Sequence, residues 1–154
     1  MPRELVVILG DLAGGHTALP VAAEFGWALE TVASLDGLSG VSSQADVVAV
    51  LVDPSVLNLP WEGAISAVQQ VAPESLPILC HRFSTAIDWP SASAGGAFHV
   101  LGLPLSAGEL RQSLGFVWAE KSKRPQIIPL DTEERSRRAK RADSRKRAAR
   151  GHVA

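Results

Sequence analysis

The run Val47-Val48-Ala49-Val50-Leu51-Val52 constrains this chain more than any other stretch. It is six apolar residues without interruption, introduced by Ala45-Asp46 and stopped by Asp53-Pro54. An apolar run that does not alternate with polar residues needs cover on both faces. That is the pattern of a central strand in a parallel sheet. Parallel neighbours can be joined only by long crossovers, usually helices.

The flanking sequence supplies both strands and crossovers. Glu4 to Leu9 is apolar and β-branched, closes at Gly10, and predicts a first buried strand. After Gly14-Gly15, residues His16 to Leu29 carry apolar side chains at helical intervals. Pro20 suits the first turn of that helix and Gly26 its end. Trp27 to Val32 predicts a second strand. Beyond Asp53, Trp61 to Val71 has helical spacing, and Leu76 to Cys80 predicts a fourth strand. Ser91 to Gly96 is small and flexible, and Phe98 to Leu101 predicts a fifth strand. A helix from Ser106 to Trp118 opens on a capping box, Ser106 with Glu109. Strand and helix thus alternate about five times, which predicts an α/β, doubly wound, five-stranded parallel sheet with helices on both faces. Ligands of such sheets bind at the carboxyl ends of the strands, here Gly10-Asp11, Asp53 and the neighbourhood of Arg82.

Charge divides the chain. Residues 1–118 contain three arginines against eleven Asp and Glu, a net −8, whereas residues 119–154 contain twelve Lys and Arg against five Asp and Glu, a net +7. Two physically different objects share the sequence. The expected division is a domain over 1–118, a linker with Pro125 and Pro129 over 119–130, and a basic tail over 131–154. No apolar stretch reaches the roughly 20 residues of a membrane-spanning helix. A single cysteine, Cys80, excludes an internal disulfide. A cytoplasmic protein without membrane contact is the expectation.

Across residues 4–118 the sequence resembles the receiver domains of response regulators. The residues that carry the resemblance are Gly96-Ala97 before a short strand, then Leu103-Pro104, then Glu109-Leu110 in the last helix. Asp53 ending the third strand adds to them, as does the stretch from Gly26-Trp27 to Leu38. The resemblance implies a receiver/flavodoxin-like fold, a place in phosphorelay signalling, and Asp53 as phosphoacceptor. It also implies Asp11 and Asp53 as ligands of Mg2+, with no other cofactor. It exposes departures too. Gly10 stands where the family has a second acidic residue, Leu103 at its lysine, and Arg82 or its neighbour His81 at its Ser/Thr. Val100 stands at its aromatic switch. The fourth helix, within Ser84 to Ala97, is expected to be short or absent because of Pro90 and the small residues around it. The implied object is a receiver with a depleted phosphorylation site, acting by binding a protein through its last strand and helix rather than by catalysis.

Each of these residues also has a plainer use. Asp53 before a proline is a common strand-ending turn residue, and Asp11 shares its fate. Arg82 offers a fixed charge for a phosphoryl group, or a salt bridge to Asp53 or Asp11 that locks the pocket; the lock is the expected arrangement. Gly10 to Thr17 has the spacing of a phosphate-binding loop with His16 at its lysine, so a nucleotide-phosphate-binding protein is the alternative reading. The four histidines lack metal-ligand spacing, and Cys80 reads as a small core residue. Trp27, Trp61 and Trp118 are expected in the core, with Trp89 exposed for a partner.

The tail opens on Asp131-Thr132-Glu133-Glu134, acidic residues suited to a helix start. Arg135, Arg137, Arg138, Lys140, Arg141, Arg145, Lys146, Arg147 and Arg150 follow, without an apolar stripe. A helical or disordered basic arm is expected, binding nucleic acid or an acidic protein, or resting against the acidic domain.

Overall fold

The computed structural model describes residues 3–83 and 87–123, and the tail cations from Arg135 to Arg150 lie outside the described residues. Five strands, β1 (Glu4–Leu9), β2 (Ala28–Val32), β3 (Asp46–Val52), β4 (Leu76–His81) and β5 (His99–Gly102), form one sheet. All pairings are parallel, in the order β2-β1-β3-β4-β5. The helices are α1 (Ala18–Glu24), α2 (Leu35–Gln44), α3 (Trp61–Val71), α4 (Trp89–Ala94) and α5 (Ala107–Ser122), with single 3-10 turns at Gly15–Thr17 and Pro54–Leu57.

The two faces of the sheet carry separate cores. Val6, Ile8, Leu51, Ile78, Cys80 and Leu101 meet α1 and α5 on one side. Leu5, Val7, Leu9, Val50, Val52 and Leu79 meet α2, α3 and α4 on the other. β3 shows why its run needs to be apolar throughout. The register with β1 slips between Leu5/Val47 and Val6/Ala49, so Val48 and Ala49 both face the α1–α5 core. A polar residue at any position of the run would therefore be buried, whichever side of the slip it stood on.

Local chemistry explains the helix ends. Gly26, at φ 78, turns the chain out of α1 into β2. In α2, rich in Gly and Ser, Ser34 accepts a hydrogen bond from the amide of Gly37 at 3.2 Å, and Leu38 is its buried residue. Pro90 sits in the first turn of α4, where a proline starts a helix rather than breaking it, and Asp88 caps that turn. The fourth helix is therefore short, at six residues. Ser106 Oγ accepts from the amide of Glu109 at 3.3 Å at the start of α5.

Two expectations are corrected. Trp118 is 53 % exposed: the buried stripe of α5 is Leu110, Ser113, Leu114 and Val117, and the residue after Val117 rotates out of it. The helix also continues through residues 119–122, read from the sequence as linker. Trp27 is buried and Trp61 packs half-buried against the α2–α4 core. Among the described residues no helix is long and apolar enough to cross a membrane.

Candidate functional site

The carboxyl ends of β1, β3, β4 and β5 open onto one cavity of about 360 Å³, lined by Asp11, Ala13, Asp53, Arg82, Leu103 and Pro104. The structure thus brings Asp11, Asp53, Arg82 and Leu103 together as the sequence implied. Asp53 is half-buried, and its Oδ1 accepts a hydrogen bond from the amide of Ser55 at 3.0 Å, capping the 3-10 turn that Pro54 begins. The plainer use of this aspartate is therefore realised. Its geometry still leaves the carboxylate lining the cavity.

Gly10 does not line this cavity, and it could not carry an acidic side chain as it stands. Its φ is 91, and a Cβ built on it would lie 2.7 Å from Val56 Cγ1. Its amide donates to Val32 O at 2.7 Å, which fixes the backbone there. The missing second acidic residue is thus written into the backbone and the packing of Val56. Gly10→Asp should destabilise the domain by about 1–3 kcal/mol, from the positive φ and the overpacking. Thermal melts check this, and an unchanged midpoint would show that the loop relaxes freely.

The expected lock is not formed. Among the described residues Arg82 makes no ion pair with Asp53 or Asp11, whereas Arg111 makes a bidentate salt bridge to Glu24, at 2.9 Å, tying α5 to α1. Arg82 is exposed on the turn after β4. A solvated guanidinium gains too little from a surface carboxylate to fix its long side chain there. Leu103 is half-buried, anchored by its amide to His81 O at 3.0 Å and packed against the α1–α5 core, and the bond to Pro104 is cis. Val100 packs half-buried on the opposite face.

Two carboxylates reach the cavity, a guanidinium shares it, and among the described residues no group of three His, Cys, Asp or Glu side chains gathers to hold a metal. A Mg2+ ion at this place would have Asp11 and Asp53 as its side-chain ligands and waters for the rest of its shell.

The loop from Gly10 to His16 borders a wider trough of about 700 Å³ together with Leu19, Leu29 and Thr31. The amides of Gly15 and Thr17 and the Thr17 hydroxyl are spent within the fold. The amide of Gly15 donates to Leu12 O, that of Thr17 to Gly14 O, and the Thr17 hydroxyl to Gly14 O at 2.8 Å. Gly14, at φ 78, meets the backbone of Leu105, whose amide donates to Ala13 O at 2.7 Å. The glycine serves the close approach of the β5–α5 connection. A phosphate cradle needs those amides free.

Cys80 is fully buried, and burial, helped by the Asp53 carboxylate, pushes its thiol far above the usual range. It is core. Sequence reasoning missed a different cluster: His99 Nδ1 shares a 2.9 Å hydrogen bond with Ser113 Oγ, and Ser113 is buried. The available signal was a serine inside the apolar stripe of α5, a position that demands a partner. Burial holds His99 below the ordinary histidine range, and the Glu109 carboxylate works against that shift. Below that range the unfolded chain takes up a proton that the folded chain resists, so this contribution to stability is lost as pH falls. The His99 ring should titrate, by NMR, below an unfolded-chain histidine. A midpoint at or above that reference would mean a solvated ring.

No protein-family profile and no curated protein matches the chain. Solved structures do. A response regulator from Thermotoga maritima matches with a TM-score of 0.61 and 10% identity over 77% of this chain and 99% of its own. The receiver domain of a Pseudomonas aeruginosa sensor histidine kinase, with a magnesium ion coordinated in its active-site cleft, gives 0.56 and 16% over 77% and 99%. The beryllofluoride-activated NtrC4 receiver domain dimer gives 0.60 and 14% over 76% and 97%. The described residues form a receiver-like domain; at these identities the likeness is one of fold.

Proposed function

We propose that this receiver-like domain is a signalling module of the phosphorelay type with a depleted phosphorylation site, and that it acts by binding another protein through β5 and α5 rather than by catalysis. The observation that carries the reading is the cavity of Asp11 and Asp53. It has Leu103 where a lysine would meet a phosphoryl group and Gly10 where Val56 excludes a third carboxylate. Electrostatic stabilisation of a transferring phosphoryl group depends on such fixed charges. A beryllofluoride–Mg2+ mixture, titrated into the protein by calorimetry or NMR, should bind weakly or not at all. Tight binding abolished by Asp53→Asn would restore a working switch and overturn the reading.

A second activity is supported by the charge division. The nine cations from Arg135 to Arg150 follow an acidic domain of net −8 and fit a polyanion. The nucleotide-phosphate alternative has less support, since the loop's Gly15 and Thr17 amides and the Thr17 hydroxyl already have partners.

A further inference from the structure

The carboxyl half of β2 is left open on the face that α1 packs against. α1 runs only from Ala18 to Glu24, about 10 Å of helix beside about 16 Å of strand in β2. The chain spends Gly10 to Thr17 in a loop and a 3-10 turn before that helix begins. Ile8 of β1 stands beside Thr31 of β2 in the register, and Ile8, Leu12 and Leu29 belong to the core on the α1 side. With Leu19, which is 58 % exposed, they give the trough of about 700 Å³ an apolar floor and wall.

The polar groups decide what fits there. An anion is refused, because the Gly15 and Thr17 amides and the Thr17 hydroxyl are bonded inside the fold and the Asp11 carboxylate stands in the wall. A cation is favoured. Among the described residues Asp11 makes no hydrogen bond and no ion pair, and no lysine or arginine lines the trough. Arg82 lines the cavity on the other side of Asp11, and Arg111 is paired with Glu24. Arg3 precedes β1 at the opposite end of the sheet, where Lys121 donates to Glu74 O before β4 and Lys123 follows α5. Glu30 alternates with Leu29 and Thr31 and so belongs to the other face of the strand. Residues 1–118 carry a net −8, and a cleft concentrates such a field on a cation. The volume is that of a small-molecule site, about 300–1,000 Å³. A protein interface takes about 800 Å² from each partner.

From this juxtaposition we infer that the trough binds a small amphipathic amine, its hydrocarbon body on Ile8, Leu19 and Leu29 and its ammonium group on the Asp11 carboxylate. Asp11 and Ala13 also line the cavity of Asp53, so the occupant neutralises a carboxylate that the two cavities share. The inference needs neither a phosphoryl group nor a protein partner, and it stands apart from the signalling reading.

The test titrates phenethylamine into the full chain and follows the methyl NMR signals. Phenethyl alcohol and hydrocinnamate present the same ring with no charge and with the opposite one. The amine should shift the Ile8, Leu19 and Leu29 methyls and bind about fivefold more tightly than the alcohol at low salt, with the carboxylate weakest. Asp11→Asn, at an exposed position, should erase the preference for amine over alcohol. Leu19→Ser, also exposed, should weaken amine and alcohol alike, about threefold. Methyl signals that stay unmoved, equal binding of amine and carboxylate, or an amine preference that survives Asp11→Asn would overturn the proposal. So would a capped tripeptide of leucine, lysine and leucine that displaces the amine at lower concentration, since the occupant would then be a protein segment.

Discussion

Gly14→Ala should cost the domain about 2–5 kcal/mol, the sum of a left-handed backbone forced on an L-residue and an overpacked contact. The φ of Gly14 is 78, and a Cβ there would lie 2.5 Å from Leu105 O and 2.6 Å from Leu105 N. Both obstacles are backbone. A side chain can rotate away, but the Leu105 peptide is held by its own hydrogen bond to Ala13 O. Domains of this size have total stabilities of about 5–15 kcal/mol, so the loss is a large fraction of the whole. Urea unfolding of the variant is the measurement, with Gly40→Ala in α2 as control. Gly40 has nothing within 4 Å of its would-be Cβ and stands inside a helix, so that change should stabilise by up to about 1 kcal/mol. Similar midpoints for the two variants would show that Leu105 moves aside and that the contact is not structural. The same measurement bears on function, because Gly14 and Leu105 set the path of the connection that carries Leu103 and Pro104 to the cavity.

The sheet was legible because burial on both faces leaves a mark on every residue of a strand. Val47 to Val52 could be nothing else, and once it was central, Leu5 to Leu9 and Ile78 to Cys80 had to flank it. Trp61 to Val71 was legible for a related reason: Ile65 and Val68 repeat on one side of it. Elements set by capping were harder. α2 contains Gly37, Ser39, Gly40, Ser42 and Ser43, poor helix formers that mask its short stripe of Leu35, Leu38 and Val41, and only the family resemblance pointed to it. α4 is carried by Asp88 and Pro90, and proline reads from sequence as a breaker when it is in fact a first-turn residue. At the site, membership was readable and geometry was not. Asp11, Asp53, Arg82 and Leu103 share the cavity as their strand ends required, but the freedom of Arg82 depends on solvent, which no spacing encodes. The steric closure of Gly10 by Val56 joins two residues 46 apart in sequence, and the His99–Ser113 pair joins a strand to a helix. Contacts of that kind exist only after folding.

A fluorescent DNA duplex of 20 base pairs should bind the full chain at 50 mM salt, and its affinity should fall about 10³-fold by 200 mM if six or more phosphates are neutralised. Nine cations between Arg135 and Arg150 are enough for that number, even after Asp143 offsets one of them. Two duplexes of unrelated sequence should bind alike, because phosphate contacts carry no base readout. The acidic domain sharpens the expectation. At −8 it repels the same duplex, so replacing the nine cations with glutamine should abolish binding rather than merely weaken it. Anisotropy titrations at the two salt concentrations, on the native and the neutralised chain, decide the matter. A flat salt dependence would mean that few phosphates are contacted. No binding even at 50 mM would remove nucleic acid as the ligand and leave an acidic protein surface as the complement of the arm.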